Sequence, residues 1–100
     1  MSSKEIRFVL KTPDFLFKSI YITAWFLRAD EIKVGFNINK KMGSSVERNK
    51  FKRRVRNYLR PCGVFRNSFF CVVAPNIKLD TGVDFDVELS KLHSWVIKKI

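Results

Sequence analysis

The sequence predicts a single α/β domain, a sandwich of a small sheet and helices, and three observations carry that prediction. Stretches rich in β-branched and aromatic residues alternate with stretches whose apolar residues recur at helical spacing. A capping box marks where the main helix begins. The 100 residues are 46% apolar, with ten Phe and two Trp, which suffices for one core and argues against disorder. A domain of this size buries roughly two-thirds of its unfolded surface. The expectation is one domain over residues 1–100, without repeat, low-complexity stretch or linker.

The elements follow in chain order. Thr12-Pro13-Asp14 reads as the start of a short entry helix, with Thr12 as N-cap and Pro13 in the first helical position. Ser19 to Arg28, with Ile20, Tyr21, Ile22, Thr23, Trp25 and Phe26, favours a strand. Its alternation places Tyr21, Thr23 and Trp25 on one face. A turn at Ala29-Asp30-Glu31 leads to Ile32–Asn39, where Ile32, Val34, Phe36 and Ile38 face one way and Lys33, Gly35, Asn37 and Asn39 the other. Ser44-Ser45-Val46-Glu47 fits a capping box, and Phe51, Val55, Tyr58 and Leu59 then form an amphipathic stripe that Pro61 and Gly63 end. Phe69 to Ala74 is continuously apolar, as in a strand covered on both faces. Asp84 caps a last helix with the core stripe Phe85, Leu89, Leu92 and Val96. The predicted order is β-β-α-β-α behind a short helical entry.

The net charge of +11 is concentrated in one region. Residues 1–39 carry a net of +2, residues 40–75 a net of +9 and residues 76–100 a net of zero. Such a local excess points to a dedicated surface for a polyanion. On the main helix, Asn49, Arg53, Arg56 and Arg60 lie opposite Phe51, Val55 and Tyr58, with Lys50, Lys52 and Arg54 beside them and Arg48 in the first turn. Lys40 and Lys41 precede the helix. A merely solvated face mixes signs, because like charges at i, i+4 weaken a helix, yet Glu47 is the only acid here and it is engaged in capping. Guanidinium forks grip phosphate oxygens in pairs. A membrane-surface helix would need free apolar anchors, and these apolar residues are committed to a core. Nucleic acid is therefore the favoured partner.

Catalytic chemistry has no support in the sequence. No His, Asp or Glu cluster has metal-ligand spacing, and no nucleophile–base pair stands out. Asp84, Asp86 and Glu88 read as acids complementing a helix dipole, and His93, beside the last core stripe, as structural or solvated. Cys62 and Cys71 lie nine apart without a C-x-x-C, and Cys71 reads as a small buried hydrophobe. A cytoplasmic location is expected, since Lys4, Glu5, Arg7 and Lys11 interrupt any early apolar stretch and Ile20–Leu27 is too short to cross a bilayer.

The stretch Val34-Gly35-Phe36-Asn37-Ile38-Asn39-Lys40-Lys41-Met42-Gly43, continued by Ser44-Ser45-Val46-Glu47-Arg48-Asn49-Lys50-Phe51-Lys52-Arg53-Arg54-Val55-Arg56, closely resembles the signature of the bacterial ribonuclease P protein family. There a strand ends in Lys-Lys, passes through a Gly-containing loop and enters a helix opening with Arg-Asn-Arg and continuing Lys-Arg-x-x-Arg. This chain departs by having Lys50 at the third signature position, a short N-terminal portion and no Gly after the first helix. Lys50 keeps the charge but loses the bidentate fork.

The resemblance implies a ribosomal-protein-like fold, with a small mixed sheet and the basic helix in a left-handed βαβ crossover. It implies an RNA-binding subunit of the endoribonuclease ribonuclease P, assisting a catalytic RNA that removes 5′ leaders from precursor tRNA. In that family Mg²⁺ is bound mainly by the RNA, so no catalytic or metal residue is expected in the protein. Its partners would be ribonuclease P RNA and precursor tRNA, with no membrane and no protein partner required. Carried over, Arg48, Asn49, Lys50, Lys52, Arg53, Arg56 and Arg60 would bind RNA, with Lys40 and Lys41 near the junction with substrate. A cleft between the basic helix and one sheet face would take the leader, with Phe15, Phe17 and Trp25 as aromatic positions and Asn37 and Asn39 as polar ones. Core packing is the competing reading for each aromatic. A ribosomal-type RNA-binding protein and a polybasic membrane-associated module share the charge, but neither needs the Arg48-Asn49-Lys50 opening.

Overall fold

The computed structural model describes residues 1–60 and 65–100; Pro61, Cys62 and Gly63, with the expected helix stop, lie outside the described residues. The elements are α1 (Ser3–Lys11), β1 (Phe15–Lys18), β2 (Ile22–Arg28), β3 (Lys33–Phe36), α2 (Ser45–Tyr58), β4 (Phe69–Pro75) and α3 (Phe85–Lys99), with a 3-10 turn at Lys40–Met42. The strands form one sheet in the order β1-β2-β4-β3. β1–β2 and β2–β4 pair antiparallel, and β3–β4 pairs parallel across the α2 crossover.

The alternation of β2 and β4 produces two covered faces. Ile22, Ala24 and Phe26 of β2 join Phe69, Cys71 and Val73 of β4 in the main core, against Phe51, Val55 and Leu59 of α2 and Phe85, Leu89, Leu92 and Val96 of α3. Each large aliphatic or aromatic side chain buried here contributes about 1.5–3 kcal/mol. On the opposite face α1 lies against β2 and β4 and buries Val9 completely. Gly35 of β3 allows that close approach, because a Cβ there would stand 2.8 Å from Met1 Sδ and 3.1 Å from Ile6 Cγ1. The result is three layers: α1, the sheet, then α2 with α3. Cys71 is a free, fully buried thiol, and burial pushes its pKa well up, in keeping with the small buried hydrophobe expected at this position.

Both expected caps of the later helices are present. Ser44 Oγ accepts from the Glu47 backbone N–H at 3.2 Å, while the Ser44 N–H donates to Glu47 Oε1 at 2.8 Å. The Asp84 carboxylate accepts from the Asp86 N–H at 2.9 Å. His93 sits edge-on to Phe65, ring centroids 5.5 Å apart, which is a packing role.

The N-terminal third differs from expectation. Helix α1 precedes Thr12 instead of starting there, since Ser2 and Glu5 form a second capping box. Thr12 is the C-cap, its N–H and hydroxyl both donating to the Phe8 carbonyl at 3.1 Å. Pro13 stops the helix by disfavouring the α conformation at Thr12. Phe15–Lys18 forms a fourth strand paired with β2, and β2 itself starts at Ile22. Tyr21 therefore lies in the turn before β2 and packs against the main core instead of sharing a face with Thr23 and Trp25. The strand expected over Ile32–Asn39 is shortened to β3, although the Asn37 N–H extends its ladder by donating to Val73 O at 3.1 Å.

Candidate nucleic-acid interface

Helix α2 is held by its apolar stripe, with Phe51 3% exposed and Val55 and Leu59 at 0%. That anchoring decides which side chains reach solvent: Asn49, Lys50, Arg53 and Arg56 are exposed, and Arg48, Lys52 and Arg54 half-buried. Arg60, expected on the helix, is exposed but lies past its end, because α2 stops at Tyr58 with Leu59 as C-cap. The ion pairs among the described residues are Lys33–Glu5, Lys33–Glu31 and Lys91–Glu88. None involves α2, Lys40 or Lys41. The single acid of α2, Glu47, is turned back onto the Ser44 N–H, so no carboxylate neutralises the helix.

Neighbouring groups shape this cationic surface further. Arg56 places its guanidinium 5.2 Å from the centroid of the Phe36 ring, and the Lys52 ammonium stands 6.0 Å from it. Phe36, on edge strand β3, thereby orients two cations of α2, a contribution that alternation alone assigned simply to the core face. The Arg48 guanidinium donates to Ser45 Oγ at 3.2 Å, and Arg60 to Asn57 Oδ1 at 3.1 Å. Lys40 and Lys41 sit exposed on the 3-10 turn, which Asn39 caps by accepting from the Lys41 N–H at 2.9 Å. The Leu79 N–H, donating to Met42 O at 2.7 Å, ties that turn to the loop before α3. Gly43 permits the tight passage between turn and helix, since a Cβ there would meet Glu47 and Leu79 atoms at 3.2–3.3 Å.

The structure separates the aromatic positions proposed for a leader. Phe15 and Phe17 are half-buried against the main core: Arg28 lies 5.2 Å over the Phe15 ring, and Phe17 meets Trp95 edge-on at 5.6 Å. Trp25 is on the other face, paired in register with Leu16 and Val72 and half-buried. Phe15, Phe17 and Trp25 therefore do not line one cleft. The Trp25 face is the one covered by α1, not the one packed on the basic helix. Asn37, which continues the Gly35 side of β3, shares the Trp25 face and is exposed. The Asn39 side chain is engaged in capping.

Thr23, beside Trp25, is 6% exposed and its hydroxyl donates to Asn76 Oδ1 at 2.9 Å. At the rim of the same face Lys33 bridges Glu5 and Glu31. The Ser2 backbone N–H, followed by Lys33, holds Glu5 below the usual carboxylate range, and Glu31 and then Glu5 hold Lys33 up. Among the described residues no three His, Cys, Asp or Glu side chains come together to hold a metal ion. No described helix is long and apolar enough to cross a membrane.

A mixed four-stranded sheet, an unneutralised Arg- and Lys-rich crossover helix and a paired-lysine turn at its mouth define an α/β sandwich with one strongly cationic surface. The chain belongs to the Ribonuclease P family, whose sequence profile matches residues 1–98. A ribonuclease P protein component from Thermus oshimai is 38% identical over 58 residues, which are 58% of this chain and 38% of that relative. The chain thus matches well under half the length of that curated relative. The solved structure of the RNase P protein from Thermotoga maritima is similar over 97% of this chain and 93% of its own, with TM-score 0.77 and 27% identity. The Staphylococcus aureus RNase P protein shares the fold at TM-score 0.73, with 17% identity over 98% of this chain and 90% of that one.

Proposed function

We propose that this protein is the RNA-binding subunit of ribonuclease P, assisting a catalytic RNA in removing 5′ leaders from precursor tRNA. The observation that carries the reading is the exposed surface of Asn49, Lys50, Arg53 and Arg56 on α2, continued by Arg60 just past its end, free of any ion pair to a carboxylate among the described residues. Such a helix is matched to the phosphates of a folded RNA, and Lys40 and Lys41 extend the match toward the bound substrate. In this reading the protein's own residues bind and orient, and Mg²⁺ is assigned mainly to the RNA subunit, as the family resemblance implies. The buried free thiol of Cys71 suits the reducing cytoplasm in which we place the complex.

The test is reconstitution. Adding the protein to ribonuclease P RNA is expected to restore precursor-tRNA cleavage at Mg²⁺ concentrations where the RNA alone is inactive. Substituting any single Asp, Glu or His in a folded protein should leave cleavage at saturating Mg²⁺ intact. One carboxylate variant that folds, binds the RNA and leaves the complex inert there would overturn the assignment of chemistry to RNA.

For the leader, the favoured surface is the Trp25 face beside α1, with Asn37 at its rim. Trp25 is half-buried in the middle of the sheet, where its flat ring suits stacking on an unpaired base, worth roughly 1–3 kcal/mol. Trp25→Leu is expected to weaken binding of a long-leader precursor by about fivefold or more while mature tRNA binds unchanged. Equal losses for both ligands, with the fold checked by circular dichroism, would return Trp25 to a packing role.

A further inference from the structure

Helix α1 carries a second cationic surface that regional net charge conceals. At about 100° per residue, Lys4, Arg7, Phe8 and Lys11 gather on the side opposite buried Val9, and all four are exposed. Three of the four acids among residues 1–39 are engaged elsewhere, and the fourth, Asp30, is exposed in the turn before β3 without an ion pair to α1. Glu5 accepts from the Ser2 N–H at 2.9 Å and pairs with Lys33 at 3.3 Å; Glu31 pairs with Lys33 at 3.2 Å; Asp14 accepts from the Arg28 N–H at 2.9 Å. Among the described residues none of Lys4, Arg7 and Lys11 has a carboxylate within ion-pair distance. The like charges Lys4, Arg7 and Lys11, three and four residues apart, work against so short a helix, and a polyanion would relieve them. Phe8 stands among them 59% exposed, as an uncovered aromatic ring.

We infer that this outer face of α1 binds single-stranded RNA, with Phe8 as a stacking platform and Lys4, Arg7 and Lys11 on the flanking phosphates. An aromatic ring set among cations fits unpaired nucleotides, whose base faces are open; a duplex offers phosphates but no base face along its length. The surface lies on the same side of the sheet as Trp25, since α1 packs on β2 and β4. Resting on the leader reading above, it extends the path of the unpaired 5′ strand across α1, away from α2.

The experiment uses the assembled complex of protein and ribonuclease P RNA, with precursor tRNAs bearing leaders of about 2 and about 12 nucleotides, below and within the ~4–16 nucleotides of a single-strand site. Phe8→Ala is expected to weaken the long-leader precursor by about fivefold or more and leave the short-leader one unchanged. The combined Lys4→Gln, Arg7→Gln, Lys11→Gln variant should lower the salt slope for the long leader alone, by about 0.7 for each phosphate released. Phe8→Trp should retain or strengthen long-leader binding. Equal losses for both precursors place the surface on the RNA subunit or the tRNA body and overturn the inference, as does no loss at all. A parallel Trp25→Leu arm separates the two readings. A leader-specific loss there with none at Phe8 removes the α1 surface and leaves the leader reading standing, and the converse pattern keeps α1 and removes Trp25.

Discussion

Replacing Arg53, Arg56 and Arg60 together by glutamine is expected to weaken binding to the catalytic RNA by about a hundredfold or more. Hydrogen bonds to charged groups contribute about 1.5–3 kcal/mol each, so even partial loss across three positions reaches that size. All three side chains are exposed and lack carboxylate partners among the described residues, so their removal leaves no buried charge behind. The salt dependence should fall with the affinity, the slope decreasing by about 0.7–0.9 for each phosphate that is no longer neutralised. Stability should barely move, because relieving like-charge repulsion along α2 offsets removal of the Arg56 guanidinium from the Phe36 ring 5.2 Å away. Filter binding over a salt series and thermal melts of the free protein measure both. A hundredfold loss accompanied by an unchanged slope would mean that these arginines support the helix without meeting phosphates.

Phe26→Ala is expected to cost about 3–5 kcal/mol of stability, the usual range for removing a buried aromatic ring. Phe26 is fully buried on β2, edge-on to Phe69 at 5.3 Å and tilted against Trp95 at 5.4 Å, so the cavity would open where β2, β4 and α3 meet. At about 4–8 °C per kcal/mol for a domain of this size, the melting temperature should fall by about 12–40 °C. Leu16→Ala, at a position 52% exposed on edge strand β1, should stay within about 0.5 kcal/mol. A small Phe26 effect would mean that the neighbouring aromatics collapse into the space. An affinity loss at low temperature, where the variant remains folded, would assign Phe26 a part in presenting the helices.

Strong local signals made most elements legible in the sequence. Ser44–Glu47 satisfies its capping box by side-chain reach alone, and the Phe51, Val55, Leu59 stripe orients α2 before any partner is known. Once that stripe is buried, most of the cations must face outward, so much of the candidate interface follows from spacing. Helix α1 was harder to read, although Ser2–Glu5 obeys the same capping rule, because its nine residues are too few to stand without tertiary cover. Gly35 supplies that cover by letting α1 close on the sheet. Strand β1 is likewise only four residues long, and its identity depends on pairing with β2.

The aromatic positions mark the limit of the sequence. Alternation states that Phe15 and Phe17 share one side of β1, and that Thr23 and Trp25 share one side of β2. It cannot state which side each strand turns toward which helix. The antiparallel register pairs Phe15 with Phe26 and Phe17 with Ala24, carrying Phe15 and Phe17 to the α3 side and leaving Trp25 beneath the α1 layer. The composition, the capping boxes and the unneutralised helix α2 are local properties of the chain, and the sequence determined them by itself. Which aromatic ring joins the main core and which lies on the α1 side was decided only by the tertiary structure, because face identity depends on strand register and on the helix that covers each side.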